Sequence, residues 1–132
     1  MIISANRVIT LTPSWKPPLS WPMAEPDDHL DYGLDVSAAI SDASDIITSA
    51  SACVAPSGVG EVVASNLSVS NNVITLYLTG GVVGRQYTVN LTANTAAGRT
   101  FVWYVYLPID PTLASVPIPP PPSPYYGPII TT

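Results

Sequence analysis

The chain of 132 residues has one cysteine, one histidine, one phenylalanine and four basic residues. Each shortage excludes something. Cys53 has no partner within the chain for a disulfide, and its expected role is that of a small buried hydrophobe. One His and one Cys fall short of the three or four ligands of a zinc site. His29 stands beside an acidic turn with no nucleophile-elbow sequence such as G-x-S-x-G to serve, so it reads as solvated rather than catalytic. Arg7, Lys16, Arg85 and Arg99 are scattered, whereas nucleic-acid binding needs clustered cations to neutralise phosphates. No run approaches the ~20 apolar residues of a membrane-spanning helix. The start, MIISANRVITLT, lacks the basic residues and unbroken apolar block of a signal peptide. The expectation is a non-enzyme without cofactor or metal, binding neither nucleic acid nor membrane.

What is present points to an all-β chain. Hydrophobic residues make up 47% and charged ones only 10%, with a net charge of −5, too apolar for a disordered solvating chain. Fifteen prolines argue against helices, which interior Pro breaks. The length suits one domain.

Three regions differ in character. Residues 1–24 read as an extended N-terminal arm, with a short β-like piece at Arg7–Thr12 and then Pro13, Trp15, Pro17, Pro18, Trp21 and Pro22. Residues 25–109 carry period-two alternation. It runs through Leu30–Ile40, then Ile46–Val54 with Ile46, Thr48, Ala50, Ala52 and Val54 on one side. It continues through Val62–Val69 to Asn71-Asn72, and Val73–Thr79 with Ile74, Leu76 and Leu78 on one face. The clearest hairpin joins Tyr87–Ala93 to Arg99–Leu107 through Asn94–Gly98. Its return strand is apolar on both faces: Phe101, Trp103, Val105 and Leu107 against Val102, Tyr104 and Tyr106. Such a strand is central or has a covered outer face. Six or seven short strands with turns every ~8–12 residues predict an immunoglobulin-like sandwich. Tyr87 fits either the tyrosine corner of that fold or an ordinary core position. Residues 110–132 form a Pro-rich arm with eight prolines and no charge after Asp110, and Pro119–Pro122 predicts polyproline II.

Seven of the nine acids fall within 25–45: Glu25, Asp27, Asp28, Asp31, Asp35, Asp42 and Asp45. Asp31 and Asp35 share a strand face about 13 Å apart along an extended chain, too far to hold one ion. No D-x-D-x-D-G loop is present. The acids read as a wet or partner-facing surface, with a calcium site assembled from several loops as the alternative. Gly80, Gly81 and Gly84 lie between strands, with no helix N-terminus to receive a phosphate.

The arms carry the functional expectation. They leave Trp15, Trp21, Tyr125, Tyr126, Ile129 and Ile130 in segments almost without charge. Proline lowers the entropy lost on docking, which favours wrapping a neighbouring chain. The competing reading folds the arms back over the apolar strand at 99–107. The expected partner contacts are Trp15, Trp21, Tyr125, Tyr126 and Ile129, with Tyr104 and Tyr106 on the sheet.

The segment EPDDHLDYGLDVSAAISDASDII, with LYLTGGVVGRQYTV at 76–89 and TAAGRT at 95–100, resembles the phage fiber-tail adaptor proteins over about residues 25–107. That family places Trp where Val36 stands, a Gly-Asp-Thr-Ile turn at Ser44–Ile47, and Trp at Ala52. Tyr104 and Tyr106 occupy a face commonly charged in the family. The resemblance implies a structural virion protein that connects fibers to the tail, with other tail and fiber chains and further copies of itself as partners. It implies a core repacked by Trp103 or by an arm. A capsid decoration protein and a carbohydrate-binding module, stacking sugars on exposed tyrosines, are the rival readings.

Overall fold

The structure, a computed structural model, describes residues 7–11, 19–25, 28–38, 40, 45–58, 60–109, 126–127 and 129–132. It is all-β. The strands are β1 (Val8–Thr10), β2 (Leu19–Ser20), β3 (His29–Asp35), β4 (Ile47–Ala55), β5 (Val63–Ser70), β6 (Val73–Thr79), β7 (Gln86–Thr95), β8 (Thr100–Pro108) and β9 (Ile130–Thr131). They form a four-stranded sheet, β1-β3-β6-β5, and a five-stranded sheet, β2-β8-β7-β4-β9.

The alternation read from the sequence sends one face of each strand inward. Ile74, Leu76 and Leu78 of β6 are buried, as are Tyr87, Val89, Leu91 and Ala93 of β7 and Trp103, Val105 and Leu107 of β8. Side chains from both sheets merge into one cluster, in which each large aliphatic contributes roughly 1.5–3 kcal/mol by leaving water. The β5–β6 hairpin turns on Asn71 and Asn72, with φ of 53° and 61°. Consecutive positive φ values match the twist of a two-residue hairpin, and Asn tolerates them. Asn72 also locks this turn to its neighbours. Its carbonyl accepts from the Val36 N–H at 3.0 Å, and its Oδ1 from the Ile47 N–H at 2.9 Å.

Strand β4 departs from the expected phase. A bulge lies between Ile47 and Ser49 in its pairing with β7, so Ile47 turns inward while Ile46 is 56% exposed and Thr48 faces water. One extra residue shifts the alternation by one step, and only Ala50, Ala52 and Val54 keep the side expected of them.

The segment expected as an N-terminal arm supplies two edge strands in its described parts. β1 pairs in parallel with β3 and β2 in parallel with β8. The chain then continues along β8: the Trp21 N–H donates to the Tyr106 carbonyl and the Ala24 N–H to the Pro108 carbonyl, both at 2.9 Å. Trp21, expected as a partner contact, is corrected by this geometry. It is 1% exposed, its ring centroid lies 5.3 Å from that of Tyr32, and its indole belongs to the chain's own core.

Candidate functional site

The two sheets present very different outer faces. On the four-stranded sheet, β3 turns His29, Asp31 and Asp35 outward, opposite Thr79, Tyr77 and Val73 of β6. Asp31 pairs with Arg7 at 2.9 Å, Asp35 accepts from the Ser37 hydroxyl at 2.7 Å, and His29 Nδ1 meets the Thr79 hydroxyl. The polar side chains that β3 presents on this face are already internally bonded.

The five-stranded sheet carries no charged residue on the outward side of its strands. Three rows cross it: Ser51–Thr92–Val102, Cys53–Asn90–Tyr104 and Ala55–Thr88–Tyr106. Val102 and Tyr104 are 45% and 53% exposed, and Tyr106 is half-buried. Tyr126 lies over the same patch. Its phenol is pushed up from the ordinary value by burial first, and then by Tyr104, Cys53 and Tyr106 around it. The structure therefore brings together Tyr104, Tyr106 and Tyr126 from distant parts of the sequence. Cys53, expected in the core, is instead half-buried on this outer face, and burial raises its thiol pKa, which suppresses thiolate reactivity.

Ile129 is 69% exposed and sits beside β9, which pairs with the edge of β4 at Ser51 and Ala52. Trp15 and Tyr125 lie outside the described residues. Among the described residues the outer side of β8 stays open at Val102 and Tyr104.

Each end of β7 is pinned by a buried acid. At its start, the Tyr87 hydroxyl accepts from the Val82 N–H at 2.9 Å and donates to Glu61, which also pairs with Arg85. Tyr87 is thus both a core residue and bonded back to the backbone, and its pKa is pushed up to about 12, by burial first and then by Glu61. At the other end Asp45 is 3% exposed. Its carboxylate accepts from the Ile46 and Ala97 N–H groups at 3.0 Å and pairs with Arg99 at 3.1 Å. Burial opposes its ionisation, but the Thr95 hydroxyl, these two amides and Arg99 outweigh it and hold the carboxyl below the usual range. Asp45 therefore departs from the wet acidic surface expected of 25–45. Glu61 went unremarked in the sequence; its one signal there is being the sole acid between Asp45 and Asp110.

No three His, Cys, Asp or Glu residues converge as metal ligands among the described residues.

A family model described as podophage GP4 fiber-tail adaptor protein gp77 matches residues 25–108. No curated protein matches the chain. The match spans β3 to β8 and takes in both buried acid clusters and the tyrosines of β8.

Proposed function

From the premise that this chain belongs to the podophage fiber-tail adaptor family, we propose how its two faces do an adaptor's work. The family is structural, and membership puts the protein at the junction of tail and fiber in the virion. The two sheets make an immunoglobulin-like sandwich, with Tyr87 as its tyrosine corner. The outer face of the five-stranded sheet takes a neighbouring virion chain through Tyr104, Tyr106, Tyr126 and Ile129. Trp15 and Tyr125 in the Pro-rich arms extend that contact, further copies of the chain are among its partners, and no step requires a cofactor, nucleic acid or membrane.

The observation that carries this reading is the chemistry of the face. Charged residues are depleted at the centres of protein interfaces and tyrosine is enriched. Here an uncharged, hydroxyl-rich face displays Tyr104 and Val102 in the open, while Asp31 and Asp35 lie on β3 of the opposite sheet. A carboxylate placed at Tyr104 would be desolvated without a partner on docking.

Tyr104→Asp in the full chain, mixed with purified tail and fiber proteins, should bind at least ~10-fold more weakly while melting like the parent. Asp35→Asn on the opposite face should bind as the parent does. Equal binding by Tyr104→Asp and the parent would remove this face from the interface. Glycan-array binding by the parent, lost in Tyr104→Asp, would instead support sugar stacking.

A further inference from the structure

Strand β9 is held by backbone pairing, one threonine hydroxyl and one inward side chain. Thr131 and Ile130 pair with Ser51 and Ala52. On either side the Gly127 N–H donates to the Val54 carbonyl at 2.8 Å and the Thr132 N–H to the Ala50 carbonyl at 3.0 Å. The Thr132 hydroxyl accepts from the Ala50 N–H at 3.0 Å. These are bonds to the open edge of β4, the generic chemistry of strand addition. The one inward anchor, Ile130, lines an apolar cavity of about 470 Å³ together with Val54, Val62, Val63 and Ala64. It does not fill that cavity. Val63 in its lining is 59% exposed, and on the segment leading into β9 Ile129 and Tyr126 are 69% and 40% exposed.

The connection to this strand is longer than docking on its own domain requires. Residues 110–125 separate Ile109 from Tyr126, and seven of these 16 are proline. In the sheet order, β8 and β9 are three strand spacings apart, roughly 15 Å. At the polyproline II rise, 16 residues span about 50 Å, beyond the ~35 Å diameter expected of a domain this size.

We propose that β9 is exchanged between copies of this chain. Residues 126–132 of one copy complete the β4 edge of a second copy, where Ile130 enters the second copy's cavity. The exposed Val63 of the acceptor and the exposed Ile129 and Tyr126 of the donor are then available to the new contact between the two copies. Because every bond to β4 is a pairing this sequence already makes, exchange keeps all of them and adds the contact between the two domains. The proposal rests on the reading above that copies of the chain are among its partners, and it names the segment that joins them.

The test uses full chains in a Cys53→Ser background. One preparation carries Ser51→Cys and the other Thr131→Cys, two positions opposite one another in the ladder and within disulfide reach. After mixing and mild oxidation, the expected result is a covalent heterodimer on a non-reducing gel. A Ser68→Cys control, on β5, should give none with Thr131→Cys. The chain carrying both Ser51→Cys and Thr131→Cys should give covalent multimers. An internally linked monomer from the double variant, with no heterodimer from the mixture, would overturn the exchange. Fiber binding is read separately. A chain that stays monomeric yet binds fibers sinks the exchange alone, and one that exchanges without binding them sinks the adaptor interface.

Discussion

The indole Nε1 of Trp21 donates to the backbone carbonyl of Gly33 at 3.0 Å. Trp21 is held on the five-stranded sheet by its own N–H bond to Tyr106, whereas Gly33 lies in β3 of the other sheet. One residue from the N-terminal segment thus ties the two sheets together and buries a large aromatic between them.

Replacing Trp21 separates its two contributions. Trp21→Phe keeps most of the packing but orphans the Gly33 carbonyl, and should cost about 1–2 kcal/mol. Trp21→Ala also leaves a cavity and should cost about 3–5 kcal/mol. Urea unfolding of both variants checks the order, and equal stability of Trp21→Ala and the parent would remove the segment from the core.

The Tyr87 hydroxyl serves Val82 and Glu61 at once, so Tyr87→Phe leaves a buried amide and a buried carboxylate each short of a partner. The expected loss is about 1–3 kcal/mol. Its alkaline behaviour has a fixed sign. A phenol raised from 10 to about 12 in the fold contributes stability that is whole below pH 10 and lost as pH rises through 12. Denaturant melts across pH 9–12 should show that slope in the parent and a flatter one in Tyr87→Phe.

Asp45 acts in the acid range. Its carboxyl is held below the ordinary 3.8, so its contribution is present above that value and disappears as pH falls through the lowered one. Thermal melts from pH 5 down to pH 2 should fall less steeply in Asp45→Asn than in the parent. At neutral pH, Asp45→Asn should melt lower, because it loses the charge facing Arg99.

Gly81 has a φ of +119°, and a methyl group there would come within 2.9 Å of Ile109 Cδ1 and 3.0 Å of Val62 Cγ2. Both neighbours are buried. Gly81→Ala therefore combines an unfavourable backbone with overpacking and should cost about 1–3 kcal/mol. Gly98, with φ +84° but open space around it, should lose less as Gly98→Ala. Parallel melts compare the two.

Much of this was legible residue by residue. Val73–Thr79 and the Tyr87–Leu107 hairpin follow from alternation, because a strand covered on one face must repeat every second residue. LDYGLDVS and the ordered motifs after it carried the family. Val36, where that family places Trp, is 0% exposed, and the core has drawn in Trp21 from the N-terminal segment alongside Trp103. Sequence raised the arm as one source of such filling but set Trp21 itself on a partner. The β4 bulge left no mark in the sequence, since Ile46-Ile47 reads equally well in either phase. Only Asn72 at the Ile47 N–H and the Asp45 staple decide which isoleucine turns inward.

The sequence by itself determined an all-β chain and an address on a phage particle, because strand alternation and motif order can be read directly along the chain. Tertiary structure decided which residues share a surface. Tyr104 and Tyr126 stand 22 positions apart and come near enough to influence each other because β8 and β9 belong to one sheet. The separation of an acidic face from an uncharged one exists only once strands are assigned to sheets, since a strand's pattern tells which residues share a side but not what lies beyond it.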